Sequence, residues 1–119
     1  MRGIPPSAHG ATEMCAAPAV MAAPFLLGFG VAATVATVLV GVALLGLALQ
    51  TEEGGQIGRA VPLAAHAGFD YALALAALLS GVGIGLITGE WYATVFLVGV
   101  GAAQVALTAS TRFSSPRSA

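Results

Sequence analysis

The chain has 119 residues, of which 58% are hydrophobic and 8% are charged, and it contains no lysine. A water-soluble domain of this size carries charged side chains at about a quarter of its positions, so nine formal charges exclude an ordinary soluble fold. The net charge of −1 also argues against nucleic-acid binding, because counterion release needs a clustered basic surface. The lipid bilayer is therefore the expected partner, and no nucleic-acid partner is expected.

Long uncharged intervals predict transmembrane helices. No charged residue lies between Glu13 and Glu52, and these 38 residues exceed the roughly 20 that one crossing needs. Residues 24–30 contain a proline and two glycines, which mark the break between two helices. Residues 31–49 then predict a helix of about 28 Å at 1.5 Å per residue, which is long enough for the hydrocarbon core.

The first apolar segment admits three structures. A helix over residues 11–29 would be about 28 Å long, but it would contain Glu13, Pro18 and Pro24. It fits a kinked complete crossing, a re-entrant half-helix, or the apolar region of a cleaved signal peptide. We disfavour the signal peptide, because its basic region would rest on Arg2 alone. The sequence leaves open whether this helix spans fully.

The second half of the chain predicts another pair of helices. Residues 51–61 are polar and glycine-rich, as in a loop. The apolar segment that follows begins at Pro62, a residue suited to the first turn of a helix. A fourth helix is predicted over residues 91–110, and its first two residues, a tryptophan and a tyrosine, are typical of an interfacial aromatic anchor.

These elements predict an all-α integral membrane bundle of four short helices arranged as two hairpins. The predicted parts are a polar tail at 1–10, a hairpin at 11–50, a loop at 51–61, a hairpin at 62–110 and a polar tail at 111–119. With four spans, both tails and the loop share one side, which then holds all four arginines. The positive-inside rule places that side in the cytoplasm, so we expect a multi-pass cell-membrane protein with both termini cytoplasmic. With three spans, three arginines would lie on one side of the membrane and one on the other, so four spans are preferred.

An internal offset of 58 residues relates parts of the two hairpins. It places residues 39–42 on residues 97–100, and both segments read LVGV. Valine and alanine are so common in this chain that such matches arise readily by chance. The sequence therefore leaves open whether the hairpins are a parallel duplicated repeat.

One family resemblance follows from short motifs. Residues 23–29, which read APFLLGF, precede a glycine-centred apolar helix, and this pattern resembles the SPW-repeat small integral membrane proteins of actinobacteria. The stretch from Pro62 through His66 and Asp70 to residues 111–113 is similar to the second half of such proteins. The resemblance covers residues 15–113 and implies a helical membrane fold. It implies no established activity, so no catalytic residue is carried over from it.

A few polar residues lie within or beside the predicted spans. His66 and Asp70 are four positions apart and share one face of the third helix. Placing an acid at the bilayer centre costs about 2.5 to 3.5 kcal/mol, so an acid there indicates a functional site by default. In the functional interpretation, Asp70 and His66 form a proton-accepting pair. In the structural interpretation, which we favour, Asp70 lies near the start of its helix and forms an ion pair with Arg112. Gln104 is expected to hydrogen-bond a neighbouring helix.

No catalytic, cofactor-binding or metal-binding residue is predicted. The two histidines, His9 and His66, are 57 positions apart, and with one cysteine they lack the ligand spacing of a zinc or copper site. Glycines in the later helices are interpreted as packing positions, because small residues let membrane helices approach closely. These glycines are Gly41, Gly81, Gly85, Gly99 and Gly101.

The expected function is a structural or interaction role, either as a homo-oligomer or within a larger membrane complex. The composition supports this expectation because the predicted helices are smooth and carry few polar groups. The first alternative is a small oligomeric transporter or channel lined by the few polar side chains. A membrane enzyme acting on a lipid or quinone has the least support, so no enzymatic activity and no cofactor are expected.

Overall fold

The computed structural model describes residues 3–49 and 63–111. Its helices are, in chain order, α1 (Pro6–Leu27), α2 (Val31–Ala48), α3 (Leu63–Thr88) and α4 (Trp91–Ala109). Within these described ranges there is no β-strand, and one isolated β-bridge joins Ile4 to Thr111. The predicted all-α fold class is confirmed.

All four helices are long and apolar enough to cross a bilayer. Their candidate spans are Ser7–Leu27, Val31–Ala48, Ala65–Thr88 and Trp91–Ala109. The shortest span has 18 residues, which correspond to about 27 Å at 1.5 Å per residue. Each helix also exposes large apolar side chains, and these reach 81% exposure at Leu26 and 85% at Ile87. Such an exterior is typical of a protein that contacts lipid tails.

The first helix is continuous and begins earlier than predicted. α1 has 22 residues and starts at Pro6, so the second half of the predicted polar tail is helical. Proline is tolerated in the first helical turn, where its missing N–H has no partner to lose. The helix continues through Pro18 and Pro24 and ends at Leu27. It is capped by Gly28, whose φ of 72° is a left-handed conformation that glycine adopts without strain. The first segment thus forms one helix of full crossing length.

The helices form two hairpins that point the same way. α1 packs on α2, α3 packs on α4, and α2 also packs on α3. Within the described chain, Ile4 N–H donates to Ser110 O at 2.6 Å, which joins the start of α1 to the end of α4. We call this end of the bundle, where α1 and α3 begin, the terminal end. The opposite end, which holds the turns at residues 28–30 and 89–90, is the turn end.

Glu90 and three aromatic rings hold the turn end together. The Gly30 N–H and the Tyr92 hydroxyl both donate to Glu90 Oε2, at 2.9 and 3.0 Å. The ring of Phe29 packs against Tyr92 and Phe96, with centroid separations of 5.6 and 5.8 Å. These contacts fix the turn of the first hairpin against the start of α4, and so set the relative position of the two hairpins.

The two hairpins repeat the same pattern of buried positions. A shift of 57 residues along the chain places buried positions of α1 on buried positions of α3, for example Ala17 on Ala74. Those of α2 and α4 coincide at an offset of 60, as at Gly41 and Gly101. The two offsets differ because α3, with 26 residues, is longer than α1, with 22. The offset of 58 found in the sequence lies between these two structural values.

The interior of the bundle has an apolar part and a polar part. The apolar core draws on all four helices and includes Ala17, Val40, Ala77 and Leu97. The buried ionisable side chains of the described residues lie on the terminal-end side of that core, in the first turns of α1 and α3. The fold therefore brings ionisable groups together between the apolar core and the terminal end.

Candidate functional site

Two pairs of ionisable side chains meet near the terminal end. His9 and Glu13 lie one turn apart on α1, and His66 and Asp70 lie one turn apart on α3. Each acid is the eighth residue of its helix, about 10 Å from the helix start at 1.5 Å per residue. All four side chains are buried, and the two acids are 1% and 0% exposed. We call these four residues the polar cluster.

The nitrogen and oxygen atoms of the polar cluster converge. One ligand atom from each of the four residues lies within 4.8 Å of the others. His9 Nε2 is 3.1 Å from Glu13 Oε2 and 3.0 Å from Asp70 Oδ2. His66 Nε2 is 3.3 Å from Asp70 Oδ2 and 3.9 Å from Glu13 Oε1. Both imidazoles and both carboxylates therefore point at one small region between α1 and α3.

Gln104 on α4 orients both carboxylates. Its Nε2 donates to Glu13 Oε2 at 2.7 Å and to Asp70 Oδ1 at 3.0 Å. One amide group thus holds one oxygen of each acid. The other oxygen of Asp70 faces both imidazoles, whereas the two oxygens of Glu13 face one imidazole each. At the structural offset of 60, Leu44 takes the place of Gln104 in α2. The first hairpin therefore carries an apolar side chain where the second carries the amide.

Thr111 sets the orientation of the His9 ring. The Thr111 hydroxyl donates its single proton to Leu107 O at 2.6 Å, so it accepts a hydrogen bond from His9 Nδ1, 2.8 Å away. His9 Nε2 is then the ring nitrogen that faces the two acids. A lone pair on Nε2 would point at carboxylate oxygens and be repelled, so the geometry calls for a proton or another cation between them.

A cavity of about 160 Å³ reaches the polar cluster from the side. It lies between α1, α2 and α4, because α4 packs on α1 less closely than α2 packs on α3. Glu13 and Gln104 form its polar wall, and its other walls are apolar apart from Thr12. Thr12 and Ala103 are exposed, so the cavity leads from the bundle surface to the Glu13 carboxylate.

The structure brings three of the four polar residues singled out from the sequence into one site. His66 contacts Asp70, and Gln104 donates to Asp70. The third partner of Asp70 is His9. Arg112, which was expected to pair with Asp70, lies outside the described residues, so that pairing stays a prediction.

His9 and Glu13 are the residues that sequence reasoning missed. From the sequence, His9 falls in a polar tail, and a separation of 57 positions argues against a site shared with His66. The structure corrects both arguments, because α1 begins at Pro6 and because α1 and α3 begin at the same end of the bundle. A signal was present: a histidine precedes an acid by four positions in both helices, and the two pairs are 57 residues apart.

Four of the five proposed packing glycines lie against another helix. A Cβ on Gly41 would collide with Met21 of α1, and a Cβ on Gly101 would lie 2.9 Å from a carbonyl oxygen of α3. Gly81 and Gly85 of α3 lie similarly close to α4. Gly99 is exposed, and a Cβ there would meet no atom of the described chain within 4 Å, so its packing role stays a prediction.

Comparison with known proteins gives no match to any family model, curated protein or solved structure. The resemblance to the SPW-repeat proteins therefore stays a prediction. Because a helical bundle can host many functions, the function has to be argued from the chemistry of the polar cluster.

Proposed function

We propose that this chain is a small multi-pass membrane protein that binds a cation inside its helix bundle. One observation carries the proposal: two carboxylates and two imidazoles converge within 4.8 Å inside helices that are long and apolar enough to be membrane spans. Ionisable groups within spans are costly, pair with one another, and mark sites or pathways for ions and protons.

The charge of the polar cluster supports a cationic occupant. Two ionised acids contribute a charge of −2, and neutral imidazoles contribute nothing. Uncompensated charge is expensive to bury, so positive charge has to enter the same region. Protons on the imidazoles can supply it, and so can a bound cation that takes their place. The His9 ring supports this argument, because its hydrogen bond to Thr111 leaves Nε2 facing the acids.

The structural role expected from composition is the second candidate, and one observation favours it. The contacts of the polar cluster join α1, α3 and α4, so the cluster has the geometry of a polar clamp. A clamp needs only protons to balance its charge and takes no other ion. The two candidates differ in one measurable respect, which is whether an added cation stabilises the folded protein.

Binding fits the interior of this bundle better than open conduction does. Among the described residues, the buried side chains between the polar cluster and the turn end are apolar or threonine. A cation in the cluster is therefore separated from the turn end by the apolar core. With both termini in the cytoplasm, as the arginine distribution favours, the cluster would exchange ions with the cytoplasmic side. The transporter alternative requires a rearrangement that opens the other side.

Thermal unfolding of the purified protein in detergent, with and without a panel of cations, tests the proposal. The panel is Na⁺, K⁺, Mg²⁺, Ca²⁺, Mn²⁺ and Zn²⁺ at constant ionic strength. A ligand that binds only the folded state at 100 times its Kd stabilises it by about 2.7 kcal/mol. We expect at least one cation to raise the unfolding temperature of the native protein and to leave that of Asp70→Asn unchanged.

Glu90→Gln is the matched control for this experiment. Glu90 is an acid that precedes α4 at the turn end, away from the polar cluster, and glutamine keeps an oxygen that can accept its hydrogen bonds from Gly30 and Tyr92. We expect this variant to keep the full response to the cation. A clamp predicts a different result: Asp70→Asn would unfold at a lower temperature, and no cation would stabilise either the variant or the native protein.

A further inference from the structure

We propose that the cation is a divalent first-row transition metal, with zinc the best fit, held by both imidazole Nε2 atoms and one oxygen of each acid of the polar cluster. This inference rests on the proposed cation-binding function and names the class of ion. Three features carry it: the donor set, the spacing of the donor atoms, and the hydrogen bonds that orient the donors.

The donor set selects the class of metal. Alkali and alkaline-earth ions prefer sites made of oxygen ligands alone, whereas imidazole nitrogen suits zinc and the neighbouring transition metals. Two imidazoles and two carboxylates give two nitrogen and two oxygen donors. A divalent ion also neutralises the two carboxylates, so the occupied site is buried with no net charge. A monovalent ion would leave one negative charge in the bundle.

The spacing of the donors matches a compact coordination shell. Four ligands at tetrahedral zinc bonds of about 2.0 to 2.1 Å lie about 3.3 to 3.4 Å from one another. His9 Nε2 and His66 Nε2 are 3.0 and 3.3 Å from Asp70 Oδ2. Glu13 Oε1 is 3.9 Å from His66 Nε2. No two of the four donor atoms are more than 4.8 Å apart, so the side chains would have to draw together by at most about 1.4 Å to share one zinc ion.

The surrounding hydrogen bonds leave the right atoms facing the ion. Thr111 accepts from His9 Nδ1 and so turns Nε2 inward, as outer partners do for the histidine ligands of metals. Gln104 holds Glu13 Oε2 and Asp70 Oδ1. Glu13 Oε1 is buried and accepts no hydrogen bond from the described part of the chain. This oxygen therefore lacks the donor that a buried carboxylate normally has, and a metal ion would supply its partner.

The side cavity provides an access route. A buried metal site needs an entry path, and the cavity of about 160 Å³ has Glu13 in its wall. Its volume is several times the roughly 30 Å³ share of one water molecule in the liquid. The cavity therefore leaves room for an ion beside the Glu13 carboxylate.

The first experiment uses the native protein without a polyhistidine tag. The protein in detergent is stripped with a chelator, reloaded with Zn²⁺ and freed of excess ion, after which bound zinc is counted and its X-ray absorption spectrum is recorded. We expect one zinc per chain, four nitrogen or oxygen ligands at about 2.0 to 2.1 Å, and outer-shell scattering from two imidazoles. Failure to retain zinc, or a spectrum without imidazole, overturns the inference.

The cation panel described above separates this inference from the proposed function. If Na⁺ or Ca²⁺ stabilises the protein in a manner that depends on Asp70 while zinc does not bind, the cation-binding function stands and the metal inference fails. If no cation binds, both fail and the clamp is supported. Zinc that binds equally well to the native protein and to Asp70→Asn lies at another site and overturns the inference.

The second experiment tests by absorption spectroscopy whether the side chain of residue 70 coordinates the metal. Asp70→Cys, made in a Cys15→Ser background, replaces a carboxylate with a thiolate of similar reach. We expect the Co²⁺-loaded variant to show a thiolate-to-metal charge-transfer band that the Cys15→Ser protein lacks. Cobalt bound without this band overturns the assignment of Asp70. If the variant does not fold, the absorption spectrum of the native protein decides.

Affinity measurements complete the test. His66→Ala should weaken zinc binding by on the order of a hundredfold or more, because loss of an outer partner alone typically costs about 10- to 100-fold. Glu90→Gln, the acid outside the cluster, should leave the affinity unchanged. Equal affinities for these two variants would contradict the site.

Discussion

The contact between α3 and α4 at Gly101 gives a prediction whose magnitude follows from the structure. A Cβ added to Gly101 would lie 2.7 Å from Leu78 Cγ and 2.9 Å from Ala74 O. The leucine side chain can rotate away, but the carbonyl is part of the α3 backbone and can move only if the helices separate. Gly101→Ala should therefore destabilise the protein by overpacking, at a cost of about 1 to 3 kcal/mol.

Gly99→Ala is a control on the same helix. Gly99 is two residues away, and a Cβ there would meet no described atom within 4 Å. Alanine is favoured over glycine in a helix by up to about 1 kcal/mol, so this variant should be as stable as the native protein or slightly more stable. The same propensity gain applies at Gly101 and cancels in the comparison, so the free energies of unfolding of the two variants should differ by about 1 to 3 kcal/mol, which is the overpacking cost.

Reversible unfolding in mixed micelles measures this difference. The purified protein in a mild detergent is titrated with sodium dodecyl sulfate, and helix content is followed by circular dichroism. The expected order of stability is Gly99→Ala, then the native protein, then Gly101→Ala. Equal stability of the two alanine variants would refute the close approach of α4 to α3 at Gly101, because glycine-to-alanine propensity alone predicts the same change at both positions.

Two further predictions concern the polar cluster. Gln104→Leu installs the residue found at the equivalent position 44, and it should lower zinc affinity about 10- to 100-fold without abolishing binding. Competition with a chelator measures the affinity. An unchanged Kd would contradict the orienting role of the amide. Proteoliposomes that contain the protein should show no channel-like leak of protons or zinc above empty liposomes, since apolar residues such as Leu97 fill the bundle beyond the cluster; a steady leak detected by internal dyes would favour the channel alternative.

The number and type of helices could be predicted from the sequence because charged residues, glycines and prolines separate its apolar intervals. Uncharged apolar intervals of about 20 residues become helices, and glycines at positions 28 and 89, each with a positive φ, mark the two turns. The start of α1 was harder to place. Its first residues are polar and resemble a tail, but in the folded chain His9 points into the bundle and is paired there.

The membership of the polar cluster could be predicted only in part. The helical period places His66 and Asp70 on one face of α3, and a lone amide within an apolar helix indicates a partner on another helix. Which partner it finds depends on how α1, α3 and α4 are rotated relative to one another. Smooth, alanine-rich helices fit together in many rotations, so a single sequence does not determine that Gln104 reaches both Glu13 and Asp70.

The repeated pattern of the two hairpins has a consequence for how the site is assembled. Equivalent residues of the two halves face each other, since His9 meets His66 and both histidines lie beside Asp70, the counterpart of Glu13. A half-length chain that paired with itself about a two-fold axis would supply the same four donors, two from each copy. A single chain, unlike such a symmetric pair, can carry Leu44 in one half and Gln104 in the other, so that one amide serves both acids.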